Sequence, residues 1–159
     1  MSSFQSMPEP TSAKLQIRPA IATEIPALAE LERQVFQTVV YPEFFFRQAR
    51  DLWPDFLLVA VLDGQLVGYL SAAPGQQGPE QLCILSLAVS AQSRGYGVGK
   101  ALMQYLLQHS PAVTRRWWLT VAPDNQVAVQ LYQKLGFVSE RYYADYYGPG
   151  EHRLLLARQ

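Results

Sequence analysis

A glycine-rich turn between a strand-like run and a helix-like run constrains this chain more than any other segment. The strand-like run ends in Leu87-Ala88-Val89, and glycines follow at positions 95, 97 and 99. Glycines at every second position keep side chains out of a loop, so its backbone N–H groups can converge on one point. The start of the following helix adds partial positive charge at the same place. We therefore expect this turn to bind an anion such as a phosphate group.

The spacing of this turn differs from two common phosphate-binding motifs. A Walker A loop ends in Gly-Lys-Ser or Gly-Lys-Thr, whereas Lys100 is followed by Ala101. The dinucleotide fingerprint needs a third glycine three residues after the second, and positions 100 and 102 hold Lys and Leu. What remains is Arg94-x-x-Gly97-x-Gly99 between a strand and a helix. A tight turn that binds no ligand is the alternative.

Composition limits the class of protein. The chain of 159 residues is 49% apolar, which favours one globular domain with a substantial core. Lys and Arg balance Asp and Glu at 13 each, so the charge gives no indication of a nucleic-acid partner. The single cysteine, Cys83, excludes an internal disulfide, and no metal site is expected. With no secretory signal and no run long enough to span a membrane, we expect a cytoplasmic protein.

The order of elements predicts a mixed α/β domain around one central sheet. Residues 1–13 are rich in Ser, Pro and Gln and are expected to form a flexible tail, with the domain at 14–159. Hydrophobic periodicity predicts the order β-α-α-β-β-β-α-β-α-β-β. Asp63-Gly64 predicts a hairpin, and residues 74–80 are predicted as a loop because of their Pro, Gly and Gln content.

Two segments resemble the GNAT superfamily of N-acetyltransferases. The glycine turn after Leu87-Ala88-Val89 resembles the loop with which these enzymes hold the pyrophosphate of acyl-CoA. Downstream, the run from Asn125 through Tyr132 to Gly136-Phe137 resembles their Asn-x-x-Ala-x-x-x-Tyr-x-x-x-Gly-Phe helix. The resemblance covers residues 14–157. It implies a mixed, mostly antiparallel sheet that is splayed between strands 4 and 5 and flanked by about four helices.

The resemblance implies that acetyl-CoA is the acyl donor and a primary amine the acceptor. It assigns the donor to backbone groups of the fourth strand and the turn, with help from the next helix. The donor-binding residues would be Leu87, Ala88, Val89, Arg94, Gly95, Tyr96, Gly97, Val98, Gly99, Lys100, Asn125 and Tyr132.

Within the superfamily, the chain looks most like protein N-terminal acetyltransferases, including the type that acetylates a ribosomal protein. Tyr41-Pro42-Glu43 before an aromatic helix carries part of this resemblance. The run of tyrosines from Tyr142 to Tyr147 resembles the hairpin that covers the peptide in those enzymes. The resemblance implies an acceptor site with Tyr41, Glu43, Tyr146 and Tyr147, although packing or a dimer contact would also account for the tyrosines.

The chemistry requires two proton transfers, and the sequence supplies a clear candidate for only one. Tyr132 holds the family position that assists the departing CoA thiolate. The position that often holds a basic Glu or His is Thr120, and that of a tyrosine used by some relatives is Cys83. Glu43 aligns with a catalytic glutamate of another branch, and Glu80 is a weaker candidate. An ordered water could serve instead.

Three functions remain open at this point. The first is acetylation of a protein N-terminus. The second is acetylation of a small-molecule amine. The third is a non-catalytic module that binds or senses acyl-CoA, which the absence of an evident base allows. No membrane partner is expected, and the chain is expected to be a monomer or a homodimer.

Overall fold

The computed structural model describes residues 14–159, and the predicted tail at 1–13 lies outside the described residues. Seven strands and four α-helices follow the predicted order. They are β1 (Leu15–Pro19), α1 (Ile25–Val35), α2 (Glu43–Leu52), β2 (Leu57–Leu62), β3 (Gln65–Gly75), β4 (Gly78–Val89), α3 (Val98–His109), β5 (Arg116–Val121), α4 (Gln126–Lys134), β6 (Val138–Tyr143) and β7 (Arg153–Arg158).

The strands form one mixed sheet in the order β1-β2-β3-β4-β5-β7-β6. Every neighbouring pair is antiparallel except β4 and β5, which are parallel. The β4–β5 pairing runs from Gln81 opposite Arg116 to Ile84 opposite Leu119 and stops there. Residues 86–89 continue to pair with β3 alone. The sheet therefore opens between strands 4 and 5, as predicted.

The two faces of the sheet bury separate apolar cores. Helix α3 packs Leu102 and Leu106 onto one face, where they join strand residues such as Leu58. Helices α1 and α2 pack Leu28 and Phe46 onto the opposite face. This alternation along the strands follows from the period of two that directs successive side chains to opposite faces. No α-helix within 14–159 is long and apolar enough to cross a membrane.

The predicted loop at 74–80 is wrong. Strand β3 continues to Gly75 and β4 begins at Gly78, so only residues 76 and 77 connect them. The pairs Ala73–Cys83 and Pro74–Leu82 extend the hairpin beyond the part that composition favoured. A register shift follows Pro74, which accommodates a residue without a backbone N–H donor. The long hairpin brings Cys83 into the sheet beside β5.

Candidate functional site

The three glycines of the turn meet two different requirements. Gly95 and Gly97 have φ angles of 91° and 73°, which a residue with a side chain adopts only with strain. Gly97 is also the N-cap of α3. Gly99 is needed for space instead, because a Cβ there would lie 3.3 Å from Leu131 Cδ2. A side chain at position 99 would therefore be a tight fit that requires Leu131 of α4 to shift slightly.

The turn leaves several backbone donors free at the start of α3. The first backbone bond into the helix runs from the Ala101 N–H to the Gly97 carbonyl at 3.0 Å. The N–H groups of residues 98–100 have no backbone acceptor within the described chain, as is usual in a first helical turn. The first turn holds no acidic residue, and Lys100 and Arg94 are exposed. These groups fit the phosphates of a CoA donor.

The adjoining end of β4 offers an open strand edge. Leu87 and Val89 pair with Leu70 and Gly68 of β3 on one side. On the other side, the described part of β5 supplies no register partner beyond Ile84. The backbone of Leu87-Ala88-Val89 can therefore bond an extended ligand that takes the place of a neighbouring strand.

Helix α4 closes the donor side of the opening. The Asn125 side chain caps this helix by accepting the Ala128 N–H at 3.2 Å. Two turns later, the Tyr132 ring is only 7% exposed and packs 6.0 Å, centroid to centroid, from Phe137. Burial raises the pKa of the Tyr132 hydroxyl to about 12.

The Tyr132 hydroxyl is available to a ligand. It makes no hydrogen bond within the described residues, where Ser71 Oγ is the single fully buried side-chain polar atom without a partner. The hydroxyl is therefore not sealed in the core, although the ring is buried. A neutral phenol with solvent access can donate a hydrogen bond to an anion that forms beside it.

Tyrosines from two distant segments gather on the other side of the opening. The Tyr147 hydroxyl lies 3.4 Å from Thr120 Oγ1 on β5, and the Arg153 guanidinium lies over the Tyr147 ring at 5.1 Å. Tyr146 packs against Tyr147 with ring centroids 4.8 Å apart. Desolvation raises the pKa of Tyr41, and the nearby Tyr147 contributes to the same shift. Tyr146 and Tyr147 are thus in contact and Tyr147 lies near Tyr41, while the assignment of Tyr41, Glu43, Tyr146 and Tyr147 to an acceptor site stays a prediction.

The donor half of this site has a counterpart among known proteins. Residues 25–137 match the acetyltransferase (GNAT) family. The chain belongs to this family. It is an acetyltransferase that depends on acyl-CoA and uses acetyl-CoA as donor, and its resemblance to the superfamily is confirmed.

Relatives of this acetyltransferase match it over nearly their whole length. An N-alpha-acetyltransferase of Sulfurisphaera tokodaii is 30% identical over 153 residues, which cover 89% of this chain and 91% of the relative. An uncharacterized N-acetyltransferase of Methanocaldococcus jannaschii is 28% identical over 145 residues, with 90% of each chain covered. The crystal structure of Ard1 from Thermoplasma volcanium superposes with a TM-score of 0.81 at 25% identity, covering 91% and 96% of the two chains.

Neither of the two glutamates predicted as candidate bases forms a side-chain hydrogen bond or ion pair among the described residues. Glu43 opens α2 and is exposed, with no hydrogen bond or ion pair among the described residues. Glu80 is also exposed at the start of β4. Cys83 does not offer a base either, because burial raises the pKa of its thiol to about 12. The role of Glu43 as a general base therefore stays a prediction.

A buried glutamate that the sequence analysis missed lies close to the acceptor side. Glu32 of α1 is 1% exposed and accepts a hydrogen bond from the Tyr69 hydroxyl and another from the Tyr41 N–H at 3.2 Å. The Tyr69 hydroxyl also lies 2.7 Å from Ser86 Oγ on β4. Desolvation raises the pKa of Glu32, although both hydrogen bonds act in the opposite direction.

The sequence contains a signal for Glu32. The position follows Leu28 by four residues and Ile25 by seven, so it falls on the apolar stripe of α1. A charged residue on such a stripe is rarely buried unless partners compensate it. The partners could not be found by spacing, because Tyr69 and Ser86 lie 37 and 54 positions further along the chain.

Proposed function

We propose that this acetyltransferase transfers the acetyl group of acetyl-CoA to the α-amine of a peptide or protein N-terminus. The observation that carries the proposal is the contact of Tyr147 with Thr120, which joins the β6–β7 loop to the end of β5, and Tyr147 also contributes to the raised pKa of the nearby Tyr41. Tyrosine hydroxyls there can bond the backbone of an extended peptide while the rings pack against its side chains. The N-alpha-acetyltransferase relative, similar over 89% of this chain, supports the same acceptor class.

The donor is assigned to the glycine turn and the open edge of β4. In this proposal the N–H groups of Gly95 through Lys100 hold the pyrophosphate, with Arg94 and Lys100 adding positive charge and Tyr96 and Val98 completing the turn. The backbone of Leu87, Ala88 and Val89 bonds the pantetheine arm. The Asn125 side-chain oxygen Oδ1 already accepts a hydrogen bond as the cap of α4. The NH₂ group of the same side chain is therefore the group that contacts the pantetheine arm.

Tyr132 is assigned to the departing thiolate. The amine lone pair forms the C–N bond at the acetyl carbonyl carbon, and the C–S electron pair leaves on sulfur. A thiol has an ordinary pKa of about 8.5, whereas the pKa of Tyr132 is raised to about 12. Complete proton transfer from the phenol would be roughly 5 kcal/mol uphill. Tyr132 therefore acts by donating a hydrogen bond to the sulfur, and solvent supplies the proton.

The acceptor is assigned to Tyr41, Tyr146 and Tyr147, with Glu43 at the entrance. Glu43 is exposed at the start of α2, close in sequence to Tyr41, where a carboxylate attracts an incoming ammonium group. Its role as a base is tested by Glu43→Gln. A full rate with an unshifted pH profile would remove Glu43 from the proton transfer and leave it at most a binding role.

A panel of acceptors tests the proposed function directly. Release of the CoA thiol is measured with Lys-free peptides beginning with Ala, Ser or Met, with an N-blocked peptide containing one Lys, and with 2,4-diaminobutyrate as a small amine. We expect turnover with free N-termini, and fragment-ion mass spectrometry should locate the acetyl group on the first residue. Turnover confined to diaminobutyrate or to the Lys side chain would contradict the proposal.

Tyr147→Phe separates acceptor binding from donor binding. The substitution keeps the ring that packs on Tyr146 and removes the hydroxyl beside Thr120. We expect a higher KM for the peptide and an unchanged KM for acetyl-CoA. Tyr142→Phe is the matched control, because Tyr142 is an exposed tyrosine of β6. Equal effects of the two substitutions would contradict the assignment of Tyr147.

A further inference from the structure

A chain of three hydrogen-bonded side chains leads from the open part of β4 to a buried carboxylate. Ser86 Oγ lies 2.7 Å from the Tyr69 hydroxyl, which in turn bonds Glu32 Oε2. Ser86 is partly exposed, whereas Tyr69 and Glu32 are 0% and 1% exposed. This hydrogen-bonded network therefore has one end, Ser86, that solvent or substrate can reach and another end, Glu32, in the core.

The direction of these bonds follows from the number of protons. A phenol carries one proton, so Tyr69 cannot donate to Glu32 and to Ser86 at the same time. With Glu32 ionised, Tyr69 donates to the carboxylate and Ser86 donates to the Tyr69 oxygen. The Ser86 oxygen then keeps lone pairs free on its partly exposed side. Such an arrangement can accept a proton at Ser86 and release another onto Glu32.

The accessible end of this hydrogen-bonded network lies beside the edge of β4 that is assigned to the donor, where β4 no longer pairs with β5. Ser86 directly precedes Leu87, the first residue of the open β4 edge, and pairs with Ser71 of β3 on the closed side. The buried end of the network contacts a residue assigned to the acceptor site, because Glu32 Oε1 accepts a hydrogen bond from the backbone N–H of Tyr41. The network thus joins the point at which β4 separates from β5 to the segment that carries Tyr41.

A carboxylate at this place is costly for stability alone. Burial of a charged group costs several kcal/mol unless its partners compensate it. Glu32 has two hydrogen bonds but no cationic partner: its described partners are Tyr69 and the Tyr41 backbone. Desolvation moves the pKa of Glu32 upwards, in the direction that suits a base working near neutral pH.

We propose that Glu32 is the terminal acceptor of the proton that the amine loses, and that Tyr69 and Ser86 conduct it. The proposal rests on the proposed transfer to an amine. The amine proton passes to Ser86 Oγ, the Ser86 proton to the Tyr69 oxygen, and the Tyr69 proton to Glu32 Oε2. The freed nitrogen lone pair forms the C–N bond while the C–S electron pair leaves on sulfur. Glu32 afterwards returns its proton to solvent along the same path.

Few other ionisable groups face this carboxylate. From β3 it faces the Tyr69 hydroxyl, and from the segment before α2 it faces Tyr41; β4 presents Ser86, which does not titrate near neutral pH. Of the charged side chains of α2, Glu43 is exposed at the start of the helix and makes no hydrogen bond to Glu32, and the other three are engaged elsewhere. Arg47 pairs with Asp51 at 3.2 Å, and Arg50 donates to the Ala20 carbonyl at 3.3 Å. The pH response of the network is therefore that of Glu32 and the amine itself.

The test compares Glu32→Gln with wild type across pH, with a Lys-free peptide bearing a free N-terminus as acceptor. Glu30→Gln is the matched control, because Glu30 lies on the exposed face of the same helix. Near neutral pH we expect Glu32→Gln to lower kcat about 100-fold and to leave the KM for acetyl-CoA unchanged. At about pH 9.5 most of the loss should disappear, because an α-amine of ordinary pKa near 8 is then already neutral.

Recovery at high pH separates proton transfer from a structural role. Ser86→Ala cuts the accessible end but leaves the Tyr69–Glu32 bond, so it should show the same loss and the same recovery. If Glu32→Gln does not fold, Ser86→Ala decides alone. A wild-type rate near neutral pH, or a loss that is equal at every pH, overturns the proposal. A wild type that acetylates no amine contradicts the proposed function, and this inference falls with it. If wild type acetylates N-termini and Glu32→Gln has the same kcat as wild type near neutral pH, the proposed function stands and only this inference is contradicted.

Discussion

Replacement of Tyr132 by Phe removes one hydroxyl from the site and changes little else. The ring stays packed against Phe137, and no hydrogen bond within the described residues is lost. We therefore expect the free energy of unfolding to change by no more than about 0.5 kcal/mol. A hydrogen bond to a charged group is worth about 1.5–3 kcal/mol. If that bond forms only as the thiolate leaves, kcat should fall by about 10- to 150-fold.

The assay is steady-state release of the CoA thiol, with thermal unfolding of the same preparations as the measure of stability. The KM for acetyl-CoA should not change, because the sulfur of the bound thioester carries no charge before the reaction. The pH profile should gain or lose no limb below about pH 10, since burial holds the pKa of Tyr132 at about 12. An unchanged kcat in a stable Tyr132→Phe enzyme would refute the assignment. So would a loss that appears only in the KM for acetyl-CoA.

Four further comparisons with wild type test the surroundings of the site, using Gly97→Ala, Gly64→Ala, Gly68→Ala and Glu32→Gln. Gly97→Ala and Gly64→Ala both place a side chain at positive φ, so each should lower the free energy of unfolding in urea by about 1 kcal/mol. Only Gly97→Ala should also raise the KM for acetyl-CoA. Gly68→Ala would set a Cβ 2.9 Å from Val98 Cγ1, so overpacking should lower stability by about 1–3 kcal/mol in the same assay. Because burial raises the pKa of Glu32, its contribution to stability is fully present below the unfolded pKa of about 4.3 and is lost as pH rises through the folded pKa. Wild type should therefore lose stability relative to Glu32→Gln as the pH rises above the unfolded pKa, and a difference that stays constant with pH would contradict the shift.

The donor half of the site could be predicted because its features are local in sequence. The strand that ends at Val89, the glycines at positive φ and the start of α3 are contiguous, so spacing alone reveals them. The Asn125-to-Tyr132 spacing is likewise set by two turns of one helix. The role of Gly99 could not be predicted, because the residue that requires its small size, Leu131, belongs to another helix.

The proposed acceptor half is assembled from distant parts of the chain, which explains why Glu32 was missed. The family resemblance points to Thr120, Cys83 and Glu43, whose positions are defined by their place along the sequence. Glu32 gains its chemical character from burial and from partners on β3 and before α2. Composition was misleading at 74–80, where Pro, Gly and Gln favour a loop but pairing with the buried Leu82 stabilises a strand.

These two halves impose different demands on the amine. The proposed donor half has free backbone N–H groups, an exposed Lys100 and no acidic residue in the first turn of α3, so it suits an anion rather than an ammonium group. On the proposed acceptor side, the Glu43 carboxylate is exposed, whereas the Glu32 carboxylate is buried and bonded to Tyr69. An amine that bound tightly as an ammonium ion would have no buried counter-ion in direct contact. We therefore expect the proposed site to favour amines that lose a proton near neutral pH. An α-amine of ordinary pKa near 8 meets this requirement far better than a Lys side chain of ordinary pKa near 10.4.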